Sequence, residues 1–108
     1  MNIFRKKKDQ PIPTDQCGTG VIRKRLKFYG QVQGVGFRYR ASYHALDLGL
    51  TGWVRNEWDG TVDMEAQGPE SSIDKLLSLL GRERFIEIER MEQQVIPTVK
   101  NEGKFKVR

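Results

Sequence analysis

The chain has 108 residues, enough for one domain with a two-layer core and too few for two independent cores. Hydrophobic residues make up 37% and charged residues 31%, a globular balance, and no apolar run approaches the roughly 18 residues of a membrane helix. A single cysteine, Cys17, and a single histidine, His44, exclude an internal disulfide and a His/Cys metal cluster; they leave a carboxylate-only metal site open, but no spacing suggests one, and no metal and no cofactor are expected.

The net charge is +5, of which residues 1–20 carry +2 and residues 21–108 carry +3. The basic residues of the body are interspersed with acids, which suits an anionic small molecule better than nucleic acid. At the N-terminus Ile3 and Phe4 precede Arg5 and Lys6, the reverse of a secretion signal, so the expected location is the cytoplasm. Residues 1–20, with Pro11, Pro13, Gly18 and Gly20 and no apolar period, read as a disordered, solvated leader. Residues 21–108 form the expected domain.

The first strand is expected from Leu26. Leu26, Phe28, Gly30 and Val32 fall on one face, and Arg25, Lys27, Tyr29 and Gln31 on the other. Gly34 and Gly36 break it. A helix is expected from Phe37 to Leu48, with Phe37, Ala41, Ala45 and Leu48 on one stripe and Gly49 at its end. Thr51 to Asn56 and Val62 to Ala66 read as a hairpin turning at Asp59-Gly60. Gly68-Pro69 stops the sheet. Ser71 or Ser72 is expected to cap a second helix carrying Ile73, Leu76, Leu77 and Leu80, closed by Gly81.

A fourth strand is expected near Phe85 with Ile86 and Ile88 inward. Its alternation then slips to Met91, Gln93 and Val95, the mark of a bulge. A short last strand, residues 104–108, places Phe105 and Val107 on one face. The order predicts an α+β fold: a ferredoxin-like βαββαβ plait, two helices on one face of a mixed, mainly antiparallel sheet, with an extra C-terminal strand.

Two stretches carry chemistry. In Gly30-Gln31-Val32-Gln33-Gly34-Val35-Gly36-Phe37-Arg38 a strand ends, glycines permit a tight loop and a helix begins. Such a loop aims successive backbone N–H groups into one space, and the helix N-terminus adds partial positive charge. Arg38 lies in the first helical turn, and its planar fork of donors suits phosphate. The string is neither a dinucleotide fingerprint, since Tyr39 replaces the third glycine, nor a P-loop, since no Gly-Lys-Ser/Thr follows. Spacing alone equally allows glycines that only turn the chain and an arginine in a surface ion pair. The second stretch is Gly52-Trp53-Val54-Arg55-Asn56, then Gly60, Val62 and Gly68. Asn56 is at home beside a turn, yet its carboxamide also offers a donor and an acceptor able to hold a water.

Together the two stretches resemble the two signature motifs of the acylphosphatase family. The first motif reads glycine, any residue, valine-glutamine-glycine-valine, any residue, aromatic, arginine. The second reads glycine-aromatic-valine-basic-asparagine, three residues, glycine, any residue, valine, five residues, glycine. Every defined position is met, and the resemblance runs from about Leu26 to the C-terminus. It implies a ferredoxin-like fold with a five-stranded mixed sheet and hydrolysis of small acyl phosphates without a metal. It implies that Arg38 is the phosphate-binding catalytic arginine and Asn56 the water-positioning residue. The main-chain N–H groups of Gln33, Gly34, Val35, Gly36, Phe37 and Arg38 become the phosphate cradle. A monomer acting on a small molecule is expected, with no nucleic acid and no membrane as partner. Residues 1–20 have no counterpart in the minimal members.

Other residues keep structural readings: Asp59 in the turn, His44 as a satisfied helix histidine, Trp53 in sheet packing, Arg55 as a strand surface charge. Trp58 at the hairpin tip stands between an exposed turn aromatic and a border of the acyl pocket. Two competing functions remain. RNA-recognition domains share the plait, and Gly36-Phe37-Arg38-Tyr39 superficially matches one of their motifs, but here it opens a helix. Acylphosphatase-like domains also occur inside larger maturation proteins; a free-standing chain favours the simple enzyme.

Overall fold

Residues 20–108 are described in a computed structural model, so the expected leader, Cys17 included, lies outside the described residues apart from Gly20. The chain forms β1 (Val21–Gln31), α1 (Phe37–Asp47), β2 (Thr51–Asn56), β3 (Val62–Pro69), α2 (Glu70–Gly81), β4 (Glu87–Ile96) and β5 (Lys106–Val107). The five strands run in the order β4-β1-β3-β2-β5. Every neighbouring pair is antiparallel except β2 and β5, which are parallel. This is the ferredoxin-like plait with its extra strand. No helix among the described residues is long and apolar enough to cross a membrane.

One face of the sheet carries the core. Leu26, Phe28, Val54, Val62, Met64 and Ala66 meet Phe37, Ala41 and Ala45 of α1 and Ile73, Leu76 and Leu80 of α2. The expected serine cap of α2 is absent. β3 runs straight into the helix, Pro69 is the extended residue before it, and no side chain caps the first turn. Ser71 and Ser72 are already helical, so neither has the extended backbone that a cap requires. A missing cap costs about 1 kcal/mol. Each buried leucine or isoleucine of the stripe contributes roughly 2 kcal/mol, so packing decides the helix.

β1 begins at Val21, five residues before the expected Leu26, and carries two buried cations. Lys24 lies under α2, with Nζ 2.9 Å from Gln93 Oε1 and 3.5 Å from Glu70. Arg23, on the opposite face, donates from Nε to Glu65 at 2.8 Å and from Nη1 to Gln67 at 3.0 Å. Its Nη1 and Nη2 also grip both carboxylate oxygens of Glu102, at 2.8 and 3.1 Å. Long-range partners, which polarity along the strand does not reveal, make these positions habitable.

β4 starts at Glu87, two residues later than expected. Phe85 is exposed and Ile86 buried in the connection before the strand. The slip in alternation is a real bulge. Tyr29 faces Arg90 while Gly30 faces Ile88, leaving Glu89 as the extra residue. Gly30 sits at φ +128°, and a Cβ there would collide with the Glu87 carbonyl oxygen, so glycine is needed for the bulged strand to close on β1. In the last strand Phe105 is buried and only Lys106 and Val107 pair.

The chain between β4 and β5 must pass from one sheet edge to the other, and Glu102 and Val99 tie it down. Val99 exchanges two hydrogen bonds with the Gln67 carboxamide, at 2.8 and 2.9 Å. The hydrogen bond from Arg23, helped by one from Thr51, holds the Glu102 carboxyl below its ordinary 4.5, against the opposing effect of burial. A depressed folded pKa stabilises the fold above the unfolded value and is lost as pH falls through the folded one. Glu102→Gln is therefore expected to lower unfolding free energy by about 1–2 kcal/mol at pH 7. The difference from wild type should shrink as the pH falls through the depressed pKa of the native carboxyl, where it also takes up its proton. Urea titrations at pH 7 and pH 3 check this; an equal difference at both would remove the ion pair as the cause.

Candidate active site

The loop after β1 turns through Gly34 at φ +75° and Gly36 at φ +82°. A Cβ at either position would meet nothing within 4 Å, so backbone conformation and not crowding calls for glycine. Gly36 is also the residue before α1. It offers no side chain to cap the helix, and no acid stands in the first turn. The first N–H groups of α1 are thus left to whatever enters the space before them.

That space is an open pocket of about 380 Å³. Val32, Gly34, Gly36, Phe37 and Arg38 line it from the loop after β1 and from α1, Asn56 from the end of β2, and Val107 from β5. β1 and β2 run the same way with β3 between them, so the C-terminal ends of both strands lie at the same end of the sheet. This brings Arg38 and Asn56, distant in sequence, onto one cavity. Arg38 is half-buried, and its Nη1 donates to the main-chain oxygen of Arg108 at 3.2 Å. Arg108 is itself held by its N–H to the Val54 carbonyl at 2.8 Å. The strand-end segment thus rests the guanidinium against the pocket. No side-chain hydrogen bond engages the Asn56 carboxamide among the described residues.

Gln33 and Val35 belong to the same loop but direct their side chains elsewhere. Val35 packs against the core. The Gln33 amide nitrogen donates to the carbonyls of Glu57 at 2.7 Å and Thr61 at 2.9 Å. Three contributors carried no local sequence signal: Tyr39 and Val107 on the pocket wall, and the Arg108 carbonyl behind Arg38. For Val107, an expected short strand whose partner was unknown was the one available hint.

The remaining candidates have structural posts. Asp59 Oδ1 accepts from the Thr61 hydroxyl at 2.6 Å and the Thr61 N–H at 3.1 Å. Those bonds, the hydroxyl first, hold its carboxyl below the usual range, as the anion of a turn. His44 pairs with Glu83 at 2.8 Å. Trp53 is buried on the open sheet face, with the guanidiniums of Arg108, Arg55 and Arg25 4.8, 5.0 and 5.5 Å from its ring. Arg55 also grips Glu57 at 2.7 Å. Trp58 is 95% exposed and does not line the pocket, which leaves it an exposed turn aromatic. A larger groove of about 470 Å³ lies between α2 and β4, walled by Phe28, Leu77, Ile88 and Met91. Its polar members are Asp74 and Ser78, so of these two the smaller pocket is the one with a cation, Arg38, on its wall. Phe37-Arg38-Tyr39 opens α1, away from the strand surface on which RNA-recognition aromatics stand.

Fold and pocket together define a small α+β protein of the ferredoxin-like plan in which one pocket gathers a guanidinium, the uncapped start of a helix and a carboxamide. Residues 24–107 match the sequence model of the acylphosphatase family, and the chain belongs to that family. An acylphosphatase of Clostridium acetobutylicum is 43% identical over 83 residues, which cover 76% of this chain and 91% of that one. The crystal structure of acylphosphatase from Bacillus subtilis superposes with a TM-score of 0.75 at 28% identity, over 81% of this chain and 98% of the other. HypF of T. kodakarensis contains a similar unit, with a TM-score of 0.71 at 26% identity, covering 81% of this chain but 12% of that one. Family and fold make the chain a hydrolase of acyl phosphates, acting on an acid anhydride bond.

Proposed function

We propose that residues 21–108 hydrolyse small, free acyl phosphates by direct attack of water on phosphorus, with Arg38 and Asn56 in the leading roles. One observation carries the reading: a single pocket joins Arg38, the glycine loop before α1 and Asn56. The phosphoryl oxygens lie against the main-chain N–H groups of residues 33–38 and the Arg38 guanidinium. Asn56 holds the attacking water opposite the leaving group. The water oxygen bonds to phosphorus as the bond from phosphorus to the acyl oxygen breaks, and that oxygen leaves with the electron pair as a carboxylate. The attacking water gives its protons to the solvent and the phosphate formed.

The conjugate acid of the leaving group has a pKa near ~4, so departure needs no general acid. What remains is positioning and charge stabilisation, the main work in phosphoryl transfer. The guanidinium and N–H dipoles supply that charge without reorganising during the reaction. Neither motif contains a cysteine or histidine, which favours direct attack over a phosphoenzyme on those residues. All named groups come from one chain, so the reading requires no second subunit. Benzoyl phosphate tests it. Turnover well above the uncatalysed rate, unchanged by a chelator, is expected. No turnover by folded protein would overturn the proposal, and turnover abolished by the chelator would overturn its metal independence.

A further inference from the structure

The loop after β1 and the end of β2 are not neighbours in the sheet, because β3 lies between them. Two strand spacings, about 9.6 Å, separate their main chains, so no backbone ladder bonds one to the other directly. One side chain bridges the gap. Gln33 Nε2 donates to the Glu57 carbonyl at 2.7 Å, where the chain leaves β2, and to the Thr61 carbonyl at 2.9 Å, where it enters β3.

Both carbonyls already serve the turn. Thr61 O accepts the Glu57 N–H at 2.8 Å and Glu57 O accepts the Gly60 N–H at 3.2 Å. Gln33 thus supplies the second donor to each, and two carbonyl acceptors fix which end of its amide is nitrogen. Asn56 is the residue immediately before Glu57 and pairs with Val62, the residue after Thr61. The two bonds therefore grip the Glu57–Trp58 and Thr61–Val62 peptide units, at the turn end of the Asn56–Val62 pair, from the side of the loop after β1.

We propose that the Gln33 side chain is a positioning residue that sets where Asn56 stands relative to the loop and Arg38. This rests on the hydrolytic reading above. Gln33 acts through Asn56 and touches neither phosphate nor water with its side chain. Loss of the clip lets the hairpin shift against the loop, and displacement on the ångström scale is enough to cost up to ~10²-fold in rate.

Gln33→Met keeps the length and removes both donors; Gln33→Asn keeps a carboxamide but is one methylene too short. Each is compared with wild type on benzoyl phosphate, with inorganic phosphate as competitive inhibitor, in the native and the Asn56→Ala backgrounds. Thermal melts accompany every variant. Both variants are expected to lower kcat about 10-fold or more and to shift the phosphate inhibition constant less than about 3-fold, a split a general loosening would not give. In the Asn56→Ala background the further loss should be under about 3-fold, because the group positioned is already gone. An equal loss in both backgrounds, a parallel loss of phosphate binding, or a fall in melting temperature with kcat intact would overturn the proposal. Failure of both variants to fold would make Gln33 purely structural and overturn it too. Wild-type protein without turnover overturns the hydrolytic reading and this proposal with it, whereas active wild type with multiplicative losses overturns this proposal alone.

Discussion

Arg38→Ala is expected to reduce kcat/KM for benzoyl phosphate by at least about 10²-fold, the scale of removing one donor aimed at transition-state charge. The guanidinium projects from the first turn of α1 into the pocket, beside N–H groups that carry only partial charge. On the proposed mechanism its loss deprives the equatorial oxygens of the one full positive charge that the described residues place on the pocket wall. Inhibition by inorganic phosphate should weaken as well, because the proposed contact would serve the bound ground state too. Arg38→Lys should recover only part of the loss, since a point charge replaces a planar fork. The main-chain oxygen of Arg108 loses its donor in both variants, so melting temperature is measured alongside. Steady-state kinetics decide the matter: turnover that survives Arg38→Ala with the fold intact would remove Arg38 from the reaction.

Gly52→Ala should be the most damaging single methyl in the sheet. Gly52 stands in β2 at φ +132°, and a Cβ there would overlap the carbonyl oxygen of Glu65 on β3. The obstacle is central-strand backbone, which cannot swing aside as a side-chain tip does. Backbone strain of roughly 1–3 kcal/mol adds to overpacking of about 1–3 kcal/mol. A loss near 3 kcal/mol or more, read by urea denaturation, is a large part of the stability of a domain this size. Damage should reach the site, because β2 carries Asn56 at its far end. A variant as stable as wild type would show that β2 and β3 can separate without cost.

Much of the fold was legible where the physics is local. The period-two alternation of Leu26 and Phe28, the helical stripe Ile73, Leu76, Leu80, and the turn at Asp59-Gly60 each report their element through neighbours in sequence. Even the β4 bulge left a trace, because an extra residue flips alternation from Ile88 to Met91. The serine cap failed because it depends on how the preceding strand ends. The early start of β1 was missed because Arg23 and Lys24 are satisfied by Glu102, Glu65 and Gln93, dozens of residues away.

The site divides the same way. By itself the sequence determined the residue types: a glycine loop opening a helix with Arg38 in its first turn, and Asn56 at a strand end beside a tight turn. Loop conformation and helix onset depend on φ preferences and on N–H groups within a few residues, so those types announce themselves. Only the tertiary structure decided that Arg38 and Asn56 share one cavity, that Val107 walls it, that Arg108 backs the arginine, and that Gln33 spans β3 to hold the hairpin. The strand order 4-1-3-2-5 determines those meetings, and it follows from packing both helices on one face of the sheet, a global free-energy balance that no short stretch of chain encodes.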